Sequence, residues 1–130
     1  MLDHFSRSEL ACPTTDQVRL ATSFGEALEK FRINVDAPIY LTSACRSPSH
    51  NAKVKGHLRG LHLAINSHWG TGGTCAVDCA ATDGEYRAKL ITLALDQDWS
   101  VGGASNFIHL DQQSRYCGLL QVVYHYRRWL

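Results

Sequence analysis

The stretch Cys75-Ala76-Val77-Asp78-Cys79-Ala80 decides the fold, because it is continuous in small and apolar residues, as a central β-strand should be. Side chains alternate across a strand, so Cys75, Val77 and Cys79 share one face, which we expect to be the core face, and Asp78 lies on the other. A buried carboxylate is costly unless a cation or hydrogen bonds compensate its charge. Asp78 is therefore the strongest local indication of function in the sequence.

The sequence on both sides of this strand predicts the α+β class. The elements expected before it are a helix from the capping box Thr14–Gln17 to about Arg32, a strand Ile39–Thr42 and a short helix Ser49–Val54. Those expected after it are a helix from a second capping box, Thr82–Glu85, to about Asp98, a turn over 99–103, a strand Phe107–Asp111 and a last strand Leu120–Tyr126. This order has too few β-α-β crossovers for a parallel sheet. We expect residues 1–130 to form one domain with a small, mainly antiparallel sheet, helices packed on one side and a cleft on the other.

Composition excludes several classes of partner. The 130 residues carry 13 basic and 12 acidic side chains, a balance that argues against a nucleic-acid groove binder and a membrane-surface binder. No apolar run approaches the roughly 20 residues that span a bilayer. Met1–Leu10 lacks the apolar centre of a secretory signal. We expect a monomer made in a cytoplasm without a signal peptide, with Arg127 and Arg128 as a solvated terminus.

The five cysteines are predicted to be reduced thiols, because they are odd in number and irregular in spacing: Cys12, Cys45, Cys75, Cys79 and Cys117. Cys75 and Cys79 form the only short pair, so a four-cysteine zinc site lacks its second half. A structural role is favoured for this pair, and a redox or thiol function remains the alternative.

His62, Asp78 and His109 are the candidate metal ligands. Imidazole nitrogens and carboxylate oxygens are the usual ligands of a catalytic zinc, and three protein ligands leave the fourth tetrahedral position for water. In the strand Phe107–Asp111, His109 shares its face with Asp111. A chain with seven histidines and twelve acidic residues also contains such residues by chance, so composition alone does not establish a metal site.

Several motifs follow one another in the order of a known family. Phe5–Cys12 looks like the first segment of small phage members, Pro38–Asn51 resembles "pi-x-i-x-SGYRSP-x-x-N", Gly60–Leu63 resembles "S-x-H-L", Ala76–Asp78 resembles "A-x-D" and Phe107–Asp111 resembles "F-V-H-V-D". Together they resemble the zinc D-Ala-D-Ala carboxypeptidases and the phage L-alanyl-D-glutamate endopeptidases. Agreement of order and character along nearly the whole chain is more specific than any single motif.

The resemblance implies a hedgehog/DD-peptidase-like fold and a Zn²⁺ ion held by His62, Asp78 and His109. It also implies hydrolysis of peptide bonds in bacterial peptidoglycan with a zinc-bound water as nucleophile. Arg46 would face the carboxylate or carbonyl of the substrate, where a guanidinium can make two parallel hydrogen bonds. Ser43 would support the Arg46 loop at the substrate-binding site.

One departure from the family concerns the spacing of the first two ligands. Relatives have a compact turn there, whereas sixteen positions separate His62 from Asp78. The additional residues include a glycine-rich loop over 67–74, which makes His68 a rival first ligand and Trp69 a candidate substrate contact. His62 is favoured because its apolar neighbours and its distance from Asn51 fit the family.

The second departure concerns the general base. Many members have an acidic residue three positions before the last histidine, and here that residue is Asn106, which cannot accept a proton. Asp111 is the candidate catalytic base, or else a partner that orients the His109 imidazole. If neither residue acts as a base, catalysis would be slow or absent.

Two functions follow from these observations. The first is a metallopeptidase that cuts peptidoglycan stem peptides at the bacterial cell wall, as a virus-encoded lytic enzyme or an enzyme of a bacterial host. The second is a catalytically inert, metal-containing module that binds the cell wall or forms part of a virion, which Asn106 favours.

Overall fold

The computed structural model describes residues 2–126, which form five α-helices and five β-strands. The helices are α1 (Arg7–Leu10), α2 (Phe24–Val35), α3 (Pro48–Lys53), α4 (Gly84–Asp96) and α5 (Gln113–Cys117). The strands are β1 (Leu41–Ser43), β2 (Ala76–Ala80), β3 (Ser100–Gly103), β4 (Phe107–Asp111) and β5 (Val123–His125). The predicted α+β class is confirmed. Arg127 and Arg128 lie outside the described residues.

The strands form one sheet in the order β1-β2-β4-β3-β5. All neighbours in this sheet are antiparallel except β3 and β5, which are parallel. The mainly antiparallel sheet predicted from the element order is therefore confirmed. The stretch that contains Asp78 forms β2, with β1 on one side and β4 on the other.

The strand register places five residues in one row across the sheet. Ser43 of β1 pairs with Asp78 of β2, Asp78 with His109 of β4, His109 with Gly102 of β3, and Gly102 with Tyr124 of β5. Paired residues on neighbouring strands project from the same face of a sheet. The two candidate ligands that lie on strands are therefore neighbours because of this register.

The opposite face of the sheet carries the core. Val77 and Cys79 of β2 and Ile108 and Leu110 of β4 are completely buried, as the alternation predicts. Helices α2 and α4 cover this face with side chains that belong to the same buried cluster: Phe24, Leu28, Phe31, Val35, Leu90 and Ala94. Trp99 fills the space beside α2. The prediction of helices on one side of the sheet is thus confirmed.

The first of the predicted helices begins later than expected. The capping box Thr14–Gln17 predicts a start at about residue 15, whereas α2 begins at Phe24 after Ser23. The backbone before it pairs with the end of the glycine-rich loop instead: the Thr74 amide donates to the Arg19 carbonyl (2.8 Å) and the Ala21 amide to the Thr74 carbonyl (3.0 Å). Only glycine fits at position 73, because a Cβ there would lie 2.4 Å from the Leu20 carbonyl carbon.

The C-terminal third also differs from the prediction. Residues 100–103, expected in a turn, form β3, and the helix α5 was not predicted. The expected strand Leu120–Tyr126 is shorter in the structure, where β5 covers Val123–His125 and its residues are exposed.

Helix α4 begins at Gly84, and the Asp83 side chain caps it by accepting from the Tyr86 amide (2.9 Å).

All five cysteines are free thiols, and four of them are buried. Within residues 2–126, the helices are too short or too polar for any of them to traverse a bilayer.

Phe31 should be indispensable to the core, because its fully buried ring packs on Trp99 with ring centroids 5.7 Å apart. We expect Phe31→Ala to lower the free energy of unfolding by about 3–5 kcal/mol, since the surrounding helices cannot close the cavity. Ile33→Ala on the same helix, where the side chain is 59% exposed, should change it by less than about 0.5 kcal/mol. Urea unfolding measures both, and equal losses would contradict this description of the core.

Candidate metal centre

His62 reaches the sheet from a loop that pairs with the Arg46 segment. The Arg46 amide donates to the His62 carbonyl (2.9 Å), and the Thr74 hydroxyl donates to the same oxygen (2.9 Å). The Cys75 amide donates to the Leu61 carbonyl (3.0 Å). The chain therefore turns outward after His62 and returns beside it before β2. The long spacing to Asp78 is an outward loop that does not displace the histidine.

Side chains of His62, Asp78 and His109 converge at the floor of a cleft. Asp78 Oδ1 lies 3.1 Å from His62 Nε2 and 2.9 Å from His109 Nδ1, and the two nitrogens are 3.3 Å apart. All three residues are buried. Ligands of a tetrahedral zinc, at about 2.0–2.1 Å from the ion, are about 3.3 Å from one another, so these separations suit one small divalent cation.

Hydrogen bonds fix the two imidazoles with one nitrogen each turned toward the centre. His62 Nδ1–H donates to the Ala44 carbonyl (2.8 Å), which leaves the Nε2 lone pair for a ligand. His109 Nε2–H donates to Asp111 Oδ2 (2.8 Å), so Nδ1 is the nitrogen that faces the centre. An imidazole oriented by a carbonyl or a carboxylate through its other nitrogen is typical of metal sites. The donor set therefore fits zinc in chemistry as well as in spacing.

Arg46 is held behind Asp78 by three different acceptors. Its Nη2 donates to Asp78 Oδ2 (3.3 Å), its Nε to the Ser43 hydroxyl (3.0 Å) and its Nη1 to Asn51 Oδ1 (3.2 Å). Asn51, which is buried, in turn donates to the His57 carbonyl (2.8 Å). Three of the five guanidinium N–H groups are thus used within the protein. Ser43 supports Arg46, and Asn51, named only as part of a motif in the sequence, holds its other side.

Asp111 has both carboxylate oxygens engaged. Oδ2 accepts from His109, and Oδ1 accepts from the Gln113 amide (3.0 Å) at the start of α5. Of the two roles considered for Asp111, this geometry favours the partner that orients His109 over the base that removes a proton from water. Asn106 is exposed in the turn between β3 and β4 and does not line the cleft.

The cleft above the three converging side chains has a volume of about 680 Å³, which is within the usual range for a small-molecule or peptide site. Arg46, Lys55 and Arg59 line one side, so the cleft is cationic there. Trp69 also lines the cleft, and its contact with a substrate stays a prediction. His68 is exposed and stacks edge-on against Trp69, with ring centroids 4.7 Å apart, and it is not among the converging side chains.

The aromatic side of the cleft was not foreseen. Phe107 of β4 and two tyrosines of the C-terminal segment, Tyr124 and Tyr126, complete the lining. The alternation of the predicted last strand places the two tyrosines on one face. Alternation does not show that these tyrosines face the cleft, because the position of β5 in the sheet depends on its parallel pairing with β3.

The charges of the centre balance through a proton on His109. Burial alone would raise the pKa of Asp78, but the hydrogen bond from protonated His109 outweighs it and holds that pKa well below its usual range. Burial would lower the pKa of His109, but hydrogen bonds to Asp111 and Asp78 outweigh it and raise this pKa to about 9. Burial lowers the pKa of His62. A cation bound between the three side chains would replace the His109 proton.

Metal-free protein should lose stability as the pH rises. The folded pKa of His109 is above its ordinary value, so its contribution is complete below about pH 6.5 and disappears as the pH rises through about 9. We expect a loss on the order of 3 kcal/mol in the free energy of unfolding over that range, measured by urea unfolding in the presence of a chelator. His109→Gln should remove most of this dependence, and a wild-type stability that stays constant over the range would contradict it.

Comparison with protein families matches residues 3–111 to the Peptidase M15 family. The comparisons with curated proteins and with solved structures gave no match. The matched residues include His62, Asp78 and His109, the side chains that converge in the cleft. The chain therefore belongs to the Peptidase M15 family of zinc-dependent metallopeptidases.

Proposed function

We propose that this protein is a zinc metallopeptidase that hydrolyses peptide bonds in the stem peptides of bacterial peptidoglycan. The observation that carries the proposal is the convergence of Nε2 of His62, Nδ1 of His109 and Oδ1 of Asp78 within 3.3 Å of one another at the floor of a cleft. Family membership supplies the reaction class, and the resemblance of the motifs to carboxypeptidases and endopeptidases of the cell wall supplies the substrate class.

His62, Asp78 and His109 would hold the zinc ion, which when bound lowers the pKa of a water molecule and polarises a carbonyl group. Arg46 neutralises the second oxygen of Asp78 and keeps the carboxylate turned toward the two imidazoles. Asp111 fixes the tautomer of His109, so that Nδ1 presents its lone pair to the ion. These two polar supports keep the ligands in place before an ion arrives.

The cationic side of the cleft favours a substrate with free carboxylates. Lys55 and Arg59 are exposed at its rim, and neither forms a salt bridge within residues 2–126. Stem peptides carry carboxylates at their C-terminal D-Ala and at D-Glu, so an extended stem could lie with its charge along this side and its backbone over the three ligands. Arg46 has two N–H groups left with which to contact a carbonyl or a carboxylate.

Ligand identity is tested by the metal content of purified variants. We expect the wild-type protein to retain about one zinc per chain and His62→Ala, Asp78→Ala and His109→Ala to retain little, because each removes one of three ligands. His68→Ala is the matched control and should keep its zinc, since that side chain is exposed. Zinc loss in His68→Ala, or its retention in the other three variants, would show that the ion is bound elsewhere.

Hydrolysis is tested on cell-wall sacculi. The wild-type protein with zinc should release new amino groups, and a chelator should stop the release, because the reaction requires the ion. Mass spectrometry of the fragments distinguishes cleavage of D-Ala-D-Ala from cleavage of L-Ala-D-Glu. We propose a lytic role like that of the phage enzymes, for which clearing of a bacterial suspension is the measurement.

Asp111→Asn separates the two roles considered for Asp111. An orienting partner predicts a metal affinity about 10–100-fold weaker, with most of the hydrolytic rate restored once zinc is saturating. A base predicts an unchanged affinity and a rate that saturating zinc does not restore. Titration with zinc followed by rate measurements gives both quantities for the same sample.

A second candidate is the inert metal-containing module that binds the cell wall or forms part of a virion. The observation that favours it is that both Asp111 oxygens are engaged and that Asn106 is not in the cleft. Binding to sacculi without release of amino groups would support it. A thiol function is disfavoured because burial raises the pKa of Cys75 and Cys79, and alkylation should therefore leave any hydrolysis unchanged.

A further inference from the structure

One wall of the cleft is built by residues that follow the family match. The match ends at residue 111, whereas Tyr124 and Tyr126 belong to the segment after α5 and line the cleft beside His109. Their rings lie 6.3 Å and 6.4 Å from the His109 ring, measured between centroids. This tyrosine pair therefore lies in the C-terminal segment, outside the matched residues. The proposed function gives it no role.

Tyr124 reaches toward His109 because Gly102 has no side chain. Tyr124 is separated from His109 by strand β3, and two strand spacings amount to about 9.5 Å. The Tyr124 ring leans across the bare backbone of Gly102, where a Cβ would lie 2.5 Å from Cζ and 2.7 Å from the hydroxyl oxygen. Glycine at this position thus places an aromatic hydroxyl in the row that contains Asp78 and His109.

The two tyrosine rings pack against each other beside His109, with centroids 5.5 Å apart and ring planes inclined at 62°. Burial raises the pKa of both Tyr124 and Tyr126. Both hydroxyls therefore keep their protons at neutral pH. Because Tyr126 lines the cleft, its hydroxyl can donate to a group bound there. The Tyr126 ring is fixed on its other side by Phe107, with centroids 5.5 Å apart.

The cleft has few other donors for a carbonyl oxygen near the ligands. The oxygens of Asp78 and Asp111 are acceptors, and Arg46, which uses three of its N–H groups within the protein, has two left. Lys55 and Arg59 are at the exposed rim. Negative charge develops on the carbonyl oxygen during peptide hydrolysis, and a fixed donor beside it stabilises the transition state more than the ground state.

We propose that the Tyr126 hydroxyl, positioned by Tyr124 and Gly102, donates a hydrogen bond to the carbonyl oxygen of the bond that is cleaved. This inference rests on the proposed peptidase function and adds to it a substrate-contacting residue outside the family match. Tyr126 is the donor itself, whereas Tyr124 is a positioning residue that acts through it.

The test compares Tyr126→Phe with the wild-type protein on a synthetic stem pentapeptide that contains both candidate bonds. Loss of a donor that acts in the transition state should lower kcat about 10- to 100-fold and leave KM within about twofold. Tyr40→Phe is the matched control: it removes a hydroxyl from a 67% exposed ring that does not line the cleft, and its kcat should equal that of the wild type. Zinc content should be unchanged in both variants.

Gly102→Ala tests the positioning without removing a hydroxyl. The new methyl group must displace the Tyr124 ring, so kcat should fall as it does in Tyr126→Phe while both tyrosines remain. Thermal unfolding shows whether the variant is folded, and if it is not, Tyr126→Phe decides alone.

Binding of two phosphinate pseudodipeptides, one for each candidate bond, provides a readout without turnover, since a phosphinate resembles the tetrahedral transition state. Calorimetry should show about tenfold weaker binding of the preferred phosphinate to Tyr126→Phe than to the wild type. An active wild type with an unchanged Tyr126→Phe would overturn this inference and leave the proposed function intact. A wild type that neither hydrolyses the peptide nor binds either phosphinate would overturn both.

Discussion

The charge of one carboxylate inside the sheet constrains the rest of this structure. Asp78 is 6% exposed in a strand whose other residues are small or apolar, and a charge in such a place must be matched by nearby partners. Two imidazoles contact one of its oxygens and a guanidinium contacts the other. Each of these partners is itself held by a carbonyl, a carboxylate, a hydroxyl or an amide. The polar network is therefore a series of supports that extends outward from Asp78.

The same network serves a metal-free and a metal-bound protein. Without an ion, His109 is protonated because its pKa is raised, and its positive charge lies between Asp78 and Asp111. A divalent ion would take the place of that proton, and both imidazoles would then present a lone pair to it. The partners on the far side of each ring do not need to move, since Ala44 and Asp111 accept from the outward nitrogens in either state. Such a preformed site costs little reorganisation when the ion binds.

The sheet organises the cleft as well as the core. Antiparallel pairing of β2, β4 and β3 aligns Asp78, His109 and Gly102, and the parallel addition of β5 brings Tyr124 into the same row. The face of this row is polar near β2 and aromatic near β5, while Lys55 and Arg59 add positive charge at the rim. Substrate would thus meet charge on one side and rings with hydroxyl groups on the other. The aromatic side derives from strand register, and the positive charge at the rim derives from the loop that follows α3.

The sequence by itself determined the α+β class, the core face of β2 and the place of Asp78 as a buried charge, because alternation and a charged residue in an apolar run are local signals. It did not determine the start of α2, the strand β3 or the place of β5, since the backbone groups of residues 19–21 and the C-terminal segment choose partners far away in the chain. It also left open whether His62 or His68 lies beside Asp78. Only the tertiary structure decided these points, because a loop's return point depends on contacts between segments that sequence spacing does not encode.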